Sequence, residues 1–169
     1  MTDQRDRIYR HIDDHPGIHF NELGRELDLA TGQLQYHLGK LRRDDAVVAE
    51  SLYGRTHYYT PEYDAWERGA VAVMRRETAR DVLLYLAEAG ASSPQSVADA
   101  LEIARSTLEW HADHLHEQAL VEKRRDERGR VTLALADPEE TAALLRTVEP
   151  SVPDRLVDRF TRLVDTLVE

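Results

Sequence analysis

The chain has 169 residues, enough for one full domain or two small ones, and its 41% hydrophobic fraction excludes a disordered chain. Acidic side chains (32) outnumber basic ones (22), for a formal net charge of −10, and cysteine is absent, which excludes disulfides and thiolate metal sites and fits a reducing cytoplasm. There is neither a run of about 18 apolar residues nor an apolar N-terminal segment, so we expect no membrane span and no secretory signal.

Two segments of the chain repeat each other at an offset of 74 residues, without a gap over about forty positions. The aligned pairs include Ile8 and Val82, Leu23 and Val97, Leu34 and Leu108, His37 and His111, and Leu41 and Leu115. In the first copy, apolar spacing predicts helices over 3–15, 20–27 and 33–43 and strands over 47–52 and 56–60. Each copy is therefore three helices followed by a hairpin.

The second copy follows a connector that we expect to be partly helical. Its first and third predicted helices cover 75–89 and 105–118, and its strands cover 120–125 and 130–136. The second helix lies between them, with Ser93 as its N-cap and Pro94 as its first residue. We divide the chain into domains at 1–61, 62–74 (the connector), 75–136 and 137–169. A helix starting at Asp137-Pro138 opens the last segment, whose final helix carries the heptad-like stripe Leu156, Phe160, Leu163 and Leu167. This stripe either packs internally or closes a homodimer.

Lysine occurs only at positions 40 and 123, and the other basic side chains are arginines. Many acids with almost no lysine resemble the composition of proteins from salt-accumulating halophilic archaea, in which carboxylates stay hydrated at high salt. An ordinary acidic protein is the alternative. High salt screens the overall negative charge within a few ångströms, so local patches decide whether nucleic acid binds.

One segment of each copy resembles the recognition helix and wing of ArsR-like and MarR-like regulators. In the first copy it is ATGQLQYHLGKLRRDDAVV, with Gly54-Arg55 at the following hairpin tip, and in the second it is ARSTLEWHADHLHEQALVEKRR, followed by ERGR. The resemblance implies tandem winged helix-turn-helix domains of haloarchaeal type. The fold class is then mainly α with small β-hairpins (α+β), plus C-terminal helices. It further implies a sequence-specific, dimeric transcription regulator whose third helix enters the major groove of double-stranded DNA.

The third helix of the first copy has the side chains for reading DNA, since residues 31–43 hold three cations and no acid. Glutamine pairs with adenine, and arginine or lysine contacts guanine or phosphate. The candidate DNA-binding residues are Thr31, Gly32, Gln33, Gln35, Tyr36, His37, Lys40, Arg43 and, at the wing tip, Arg55. A solvated basic helix face is the alternative.

The second copy is less suited to DNA, because residues 105–117 carry one cation against three acids. We interpret it as a degenerate winged helix for protein contact or sensing, with Trp110 and His114 as candidate interface residues. Its basic hairpin leaves a second DNA contact open. His111 and His114 share a helix face, but solvated histidines are the simpler interpretation, so we expect no metal site and no cofactor.

Enzyme motifs are absent, including GxGxxG, the P-loop, GxSxG and HExxH, so we expect no catalytic activity. The leading hypothesis is a dimeric DNA-binding regulator with an unidentified effector. The rival is a winged-helix adaptor in a transcription or replication assembly, with Trp66 and Trp110 exposed as anchors.

Overall fold

A computed structural model gives the fold and describes residues 3–148. The chain divides into two compact units, Met1–Ala72 and Val73–Glu169. Helices dominate, and the strands form small antiparallel hairpins, which confirms the predicted mainly α fold class. Within the described residues, no helix is both long and apolar enough to cross a membrane.

The first unit contains three helices and a small sheet, followed by a helix that begins in this unit and ends two residues past its boundary. Its elements are α1 (Gln4–Asp14), β1 (Ile18–His19), α2 (Phe20–Leu27), α3 (Thr31–Arg43), β2 (Val48–Leu52), β3 (Arg55–Tyr59) and α4 (Ala65–Met74). The sheet order is β1-β3-β2, all antiparallel, with Val48 opposite Tyr59 and Ile18 opposite Tyr58. Helices and sheet meet in one apolar core, formed by Ile8, Ile12, Ile18, Leu23, Leu34, Leu38, Leu41, Val47 and Tyr58.

Two local features differ from the predicted elements of the first copy. Helix α3 begins at Thr31, two residues earlier than predicted, because the Gln33 side chain accepts a hydrogen bond from the Ala30 amide (3.4 Å) and caps the first turn. The two-residue strand β1 is an additional element, since so short a segment has no detectable alternation. It adds a third strand to the hairpin.

The second unit has the same order of elements, as far as the structure describes it. After the boundary come α5 (Glu77–Ala89), α6 (Pro94–Leu101), α7 (Arg105–Glu117), β4 (Val121–Arg125), β5 (Val131–Leu135) and α8 (Pro138–Val148). The Ser93 hydroxyl caps α6 by accepting from the Ser96 amide (3.1 Å), and Pro94 is its first residue, as predicted. The Asp137 carboxylate likewise accepts from the Glu140 amide (3.0 Å) at the start of α8.

The turn that joins the second and third helices has the same backbone in both units. Asp28 (φ 53°) and Glu102 (φ 56°) both adopt the left-handed conformation that ends the second helix. The next amide, of Leu29 or Ile103, then donates at 3.0 Å to a carbonyl five residues earlier. The 74-residue sequence offset therefore corresponds to a repeated local geometry, and it places α3 and α7 in equivalent positions within their units.

Candidate nucleic-acid interface

Helix α3 is held to its unit by one face and presents the other to solvent. Leu34, Leu38 and Leu41 are buried at helical spacing, as the sequence predicted. The rest of the helix surface is polar or aromatic. Of the predicted DNA-binding residues on α3, six are exposed and His37 and Lys40 are half-buried; the exposed ones are Thr31, Gly32, Gln33, Gln35, Tyr36 and Arg43.

Tyr36 and Lys40 form a pair on this exposed face. The Lys40 Nζ lies 4.4 Å from the centre of the Tyr36 ring, and 58% of Tyr36 is exposed. A hydrogen bond from the Lys40 ammonium, together with its positive charge, lowers the pKa of the Tyr36 phenol. The pair therefore presents an apolar ring and a cation at one point of the helix, where thymine methyls and phosphates or guanine edges are suitable partners.

Two other predicted residues on α3 have local roles in the free protein. Gln33 caps the helix through Ala30, so its side-chain oxygen is already bonded. His37 packs its ring edge-on against Tyr36, with ring centres 5.2 Å apart. The His37 Nδ1 is buried without a hydrogen-bond partner in the described structure. His37 thus supports the Tyr36 ring from the side.

Arg55 lies on a different element, at the first residue of β3 and next to the hairpin tip. The tip is the two-residue turn Tyr53-Gly54. Both residues have positive φ (52° and 78°), as the central residues of a type I′ β-turn do. Arg55 is exposed. It borders a cavity of about 270 Å³ that is lined by His19, Phe20, Asn21, Gly54, Arg55 and Thr56. The wing tip therefore combines one cation with an indentation at the start of α2.

The structure adds Arg5 and Arg42 to the candidate surface, which the sequence reasoning did not select. Arg5 on α1 lies close enough to Tyr36 to help lower the phenol pKa, and it pairs with Asp44 at 4.0 Å after the end of α3. Arg42 is exposed in the last turn of α3. The charge count of α3 already included Arg42, whereas no sequence pattern indicated that the start of α1 lies beside Tyr36.

Helix α7, the counterpart of α3, carries a different set of side chains. Its cation Arg105 is bound to Glu109 (2.9 Å) on the same helix, and Asp113 forms an ion pair with Lys123 of β4. Glu117 is exposed near the end of the helix. Carboxylates on this face would be repelled by phosphates, so α7 lacks the electrostatic properties of α3.

An aromatic cluster surrounds Trp110, which is 47% exposed at the position equivalent to Tyr36. The His114 ring lies 4.0 Å from the Trp110 ring, and its Nδ1–H donates to the Trp110 carbonyl (2.8 Å). His111 packs edge-on at 4.8 Å, and the Arg76 guanidinium stands over the ring at 5.5 Å. Burial, then Arg76 and His114, lower the pKa of His111.

The two histidines considered as metal ligands, His111 and His114, are both occupied with the Trp110 ring. Among residues 3–148 there is no group of three His, Cys, Asp or Glu side chains that could hold a metal ion. The candidate interface residues Trp110 and His114 are adjacent, as their spacing on α7 predicts. The other four, Leu156, Phe160, Leu163 and Leu167, lie outside the described residues.

Comparison with known proteins gives an independent view of the first unit. Residues 2–71 match a sequence family described as an N-terminal HTH (helix-turn-helix) domain. The matched segment covers α1 to β3 and most of α4, and it includes the exposed face of α3 and Arg55.

A longer relative extends the comparison. The chain is 25% identical over 126 residues to a Methanocaldococcus jannaschii protein named as an uncharacterized HTH-type transcriptional regulator. The alignment covers 75% of this chain and 32% of that protein, so the chain spans about a third of the length of the relative it matches. The similarity therefore extends beyond the HTH domain.

Proposed function

We propose that this protein is a sequence-specific, homodimeric transcription regulator that binds double-stranded DNA through the first unit. Helix α3 enters the major groove, and the wing at Arg55 contacts the flanking backbone or minor groove. The reading residues are those predicted on α3 and the wing, with Arg5 and Arg42 added for phosphate contact. The HTH domain match and the name of the relative support this proposal. The wing and the pattern of α3 favour an ArsR-like or MarR-like module of haloarchaeal type.

The observation that carries the proposal is the pair of exposed Tyr36 and half-buried Lys40 on a helix face without acids. In residues 31–43 the only charged side chains are Lys40, Arg42 and Arg43, and all lie in the last turn or just before it. Phosphates attract such a face at short range even though the whole chain is acidic. In a two-fold dimer, the two copies of this surface would bind half-sites about one helical turn (~34 Å) apart.

The proposal is tested by DNA binding at high KCl, using a selection from random duplexes and from genomic fragments. Wild type should enrich a motif with two related half-sites. Lys40→Glu and Tyr36→Ala should each weaken binding to that motif by at least tenfold, corresponding to about 1.4 kcal/mol or more, which is typical of a direct contact. Sedimentation of the free protein and of the complex gives the number of chains per site.

Two variants serve as matched controls. Arg146→Glu makes the same charge change as Lys40→Glu, at an exposed residue of α8. Trp110→Ala removes the aromatic ring at the position equivalent to Tyr36. Both should keep the wild-type motif and affinity. If wild type enriches no motif, or if the α3 variants bind as tightly as these controls, the assignment of α3 as the reading helix is wrong.

A second candidate function, a protein-interaction adaptor, is favoured by one observation, the exposure of Trp110. Exposed tryptophan backed by Arg76 and His114 is typical of an interface anchor. The rival adaptor hypothesis expected Trp66 to be exposed as well, whereas Trp66 on α4 is half-buried. The two functions are compatible if the second unit contacts a protein while the first reads DNA, and Trp110→Ala separates them, because it would abolish only the protein contact.

A further inference from the structure

The hairpin β4–β5 of the second unit concentrates positive charge on a unit that is otherwise acidic. We infer that this hairpin, residues 121–130 with its tip, is a second contact surface for the phosphate backbone of double-stranded DNA, and that it acts without insertion of α7 into a groove. The inference rests on the proposed function, because it assumes that the first unit brings the chain to DNA.

The charge distribution within the second unit is uneven. Residues 121–130 hold five cations and three acids, whereas the remainder of residues 73–148 holds five cations and eleven acids. All residues from 122 to 130 are exposed, while Leu133 and Leu135 on the partner strand are buried. The hairpin therefore turns its apolar strand β5 to the unit and its basic strand β4 to solvent.

Two acidic side chains of the hairpin, Asp126 and Glu122, accept hydrogen bonds from within the hairpin. The Asp126 carboxylate accepts from the Arg128 amide (2.9 Å), the Arg130 amide (2.8 Å) and the Arg130 Nε (2.7 Å). These bonds, the one from the Arg130 amide above all, lower the pKa of Asp126 and keep it ionised as the cap of the tip. Glu122 is likewise bound to Arg124 (3.0 Å). These two acids thus shape the hairpin, and Glu127, exposed in the tip, is the one acid of residues 121–130 without an ion pair in the described structure.

Two arginines remain available once these pairs are counted. Among the described residues, neither Arg125 nor Arg128 forms an ion pair, and both are exposed. Arg125 ends β4 opposite Val131, and Arg128 lies in the tip. The Asp126 amide donates to the Arg130 carbonyl (2.9 Å) and closes the tip, in which Gly129 has φ 76°. Exposed guanidinium groups without an ion pair, carried on a hairpin that faces solvent, are well placed for phosphate oxygens.

The side chains of α7 are unsuited to DNA, which is why we expect the hairpin to contact DNA without this helix. Glu117 is exposed on it, and Trp110 occupies the position of Tyr36. The Lys123–Asp113 ion pair joins β4 to α7 and neutralises one of the carboxylates nearest the hairpin.

The alternative role for the cations of β4 is to prevent pairing between the sheet edges of two protein copies. That role predicts that removing the cations has no effect on DNA affinity.

The test compares the salt dependence of DNA binding for wild type and three variants of the whole chain, on the motif selected by wild type. Arg125→Gln/Arg128→Gln removes the two unpaired cations of the hairpin, and Arg105→Gln/Arg146→Gln removes two exposed cations elsewhere in the unit. Fluorescence anisotropy over a KCl series gives the slope of log Kd against log salt. Losing two phosphate contacts in each chain, and so four in the dimer, should reduce the slope by about 3.6 and weaken binding by more than about tenfold at the lowest salt.

We expect the hairpin variant to keep the wild-type motif, because α3 still reads the bases, while the control variant keeps both motif and slope. Arg125→Lys/Arg128→Lys retains the charges and should restore the slope, which separates a lost contact from a misfolded hairpin. A hairpin variant whose slope equals that of the control overturns the inference and leaves the proposed function intact. Binding by wild type without sequence preference, but with a slope that the hairpin variant reduces, overturns the proposed function alone.

Discussion

At the scale of single residues, equivalent positions on the exposed faces of α3 and α7 carry different side chains. Tyr36 is accompanied by Lys40, whereas Trp110, on the equivalent turn of α7, is accompanied by His114 and Arg76. The buried residues behind them are unchanged in type, since Leu34 and Leu108 both have 0% exposure. The same framework therefore presents two different surfaces, and only the surface of the first unit is basic and free of acids.

Leu34 anchors the candidate reading helix, and we expect its truncation to destabilise the first unit. Its side chain lies in the core and touches α2, where a Cβ at Gly24 would come within 3.3 Å of it. Leu34→Ala should lower the free energy of unfolding by about 2–5 kcal/mol, because a buried cavity is left. Urea denaturation measures this. Gln35→Ala, one residue along on the exposed face, should change it by less than about 0.5 kcal/mol, and equal effects would contradict the buried placement of Leu34.

His111 gives the second unit a pH dependence of stability with a definite sign. Burial and the Arg76 charge lower the pKa of His111 in the folded state, so the unfolded chain binds its proton first on acidification. The stabilisation is complete above the unfolded pKa of about 6.5 and is lost as pH falls from there through the folded pKa. His111→Gln should therefore lose less stability than wild type between pH 7.5 and 5.5, as measured by urea midpoints. A change as large as that of wild type would exclude His111 as the cause.

At the scale of elements, the N-cap positions of the helices show where a substitution could raise the free energy of unfolding. The N-cap residue of α6 is Ser93, whose side chain caps the helix, whereas the N-cap residue of α7 is Ala104, which has the same extended backbone and no side-chain cap. Ala104→Ser should raise the free energy of unfolding by about 1 kcal/mol, and Ser93→Ala should lower it by a similar amount. Chemical denaturation of both variants checks the pair, with exposed Ser106→Ala as the neutral control. Destabilisation by Ala104→Ser would mean that the N-cap is placed wrongly.

The helices were predictable from sequence because their signals are local and strong. Leucines at helical spacing placed the buried face of α3, and Ser93-Pro94 placed the start of α6. The start of α3 was placed two residues late, because Ala30 is a poor cap by type and the capping group is the Gln33 side chain. Strand β1 gave no signal, since two residues define no alternation and its pairing with β3 is a long-range contact.

The candidate site was predictable as a helix face but not as a set of contacts. Helical geometry was enough to bring Tyr36 and Lys40 together. The position of Arg5 beside Tyr36 depends on how α1 packs, and the Lys123–Asp113 pair depends on how β4 returns along α7. Neither follows from residue type and spacing, because each joins different elements through the tertiary structure. The DNA-binding role of the predicted residues stays a prediction.

At the scale of the whole molecule, acidic charge is the dominant property and the basic surfaces are local exceptions. A net charge of −10 opposes compaction by repulsion among carboxylates. Helix α1 shows the cost locally, since exposed Asp13 and Asp14 lie in its last turn, where the helix dipole disfavours negative charge. At the high salt in which proteins of halophilic composition work, this repulsion between carboxylates would be weak, because salt screens it within about 3 Å at 1 M.

We therefore expect the midpoint of thermal unfolding to rise with KCl between 0.1 and ~2 M, since screening reduces repulsion in the folded state more than in the extended chain. Asp13→Asn/Asp14→Asn should raise the midpoint at low salt and show a smaller rise. Glu139→Gln/Glu140→Gln removes the same charge from the first turn of α8, where acids favour the helix, and should lower the low-salt midpoint instead. A midpoint that does not change with KCl in all three proteins would show that charge repulsion does not limit stability and would favour an ordinary acidic protein.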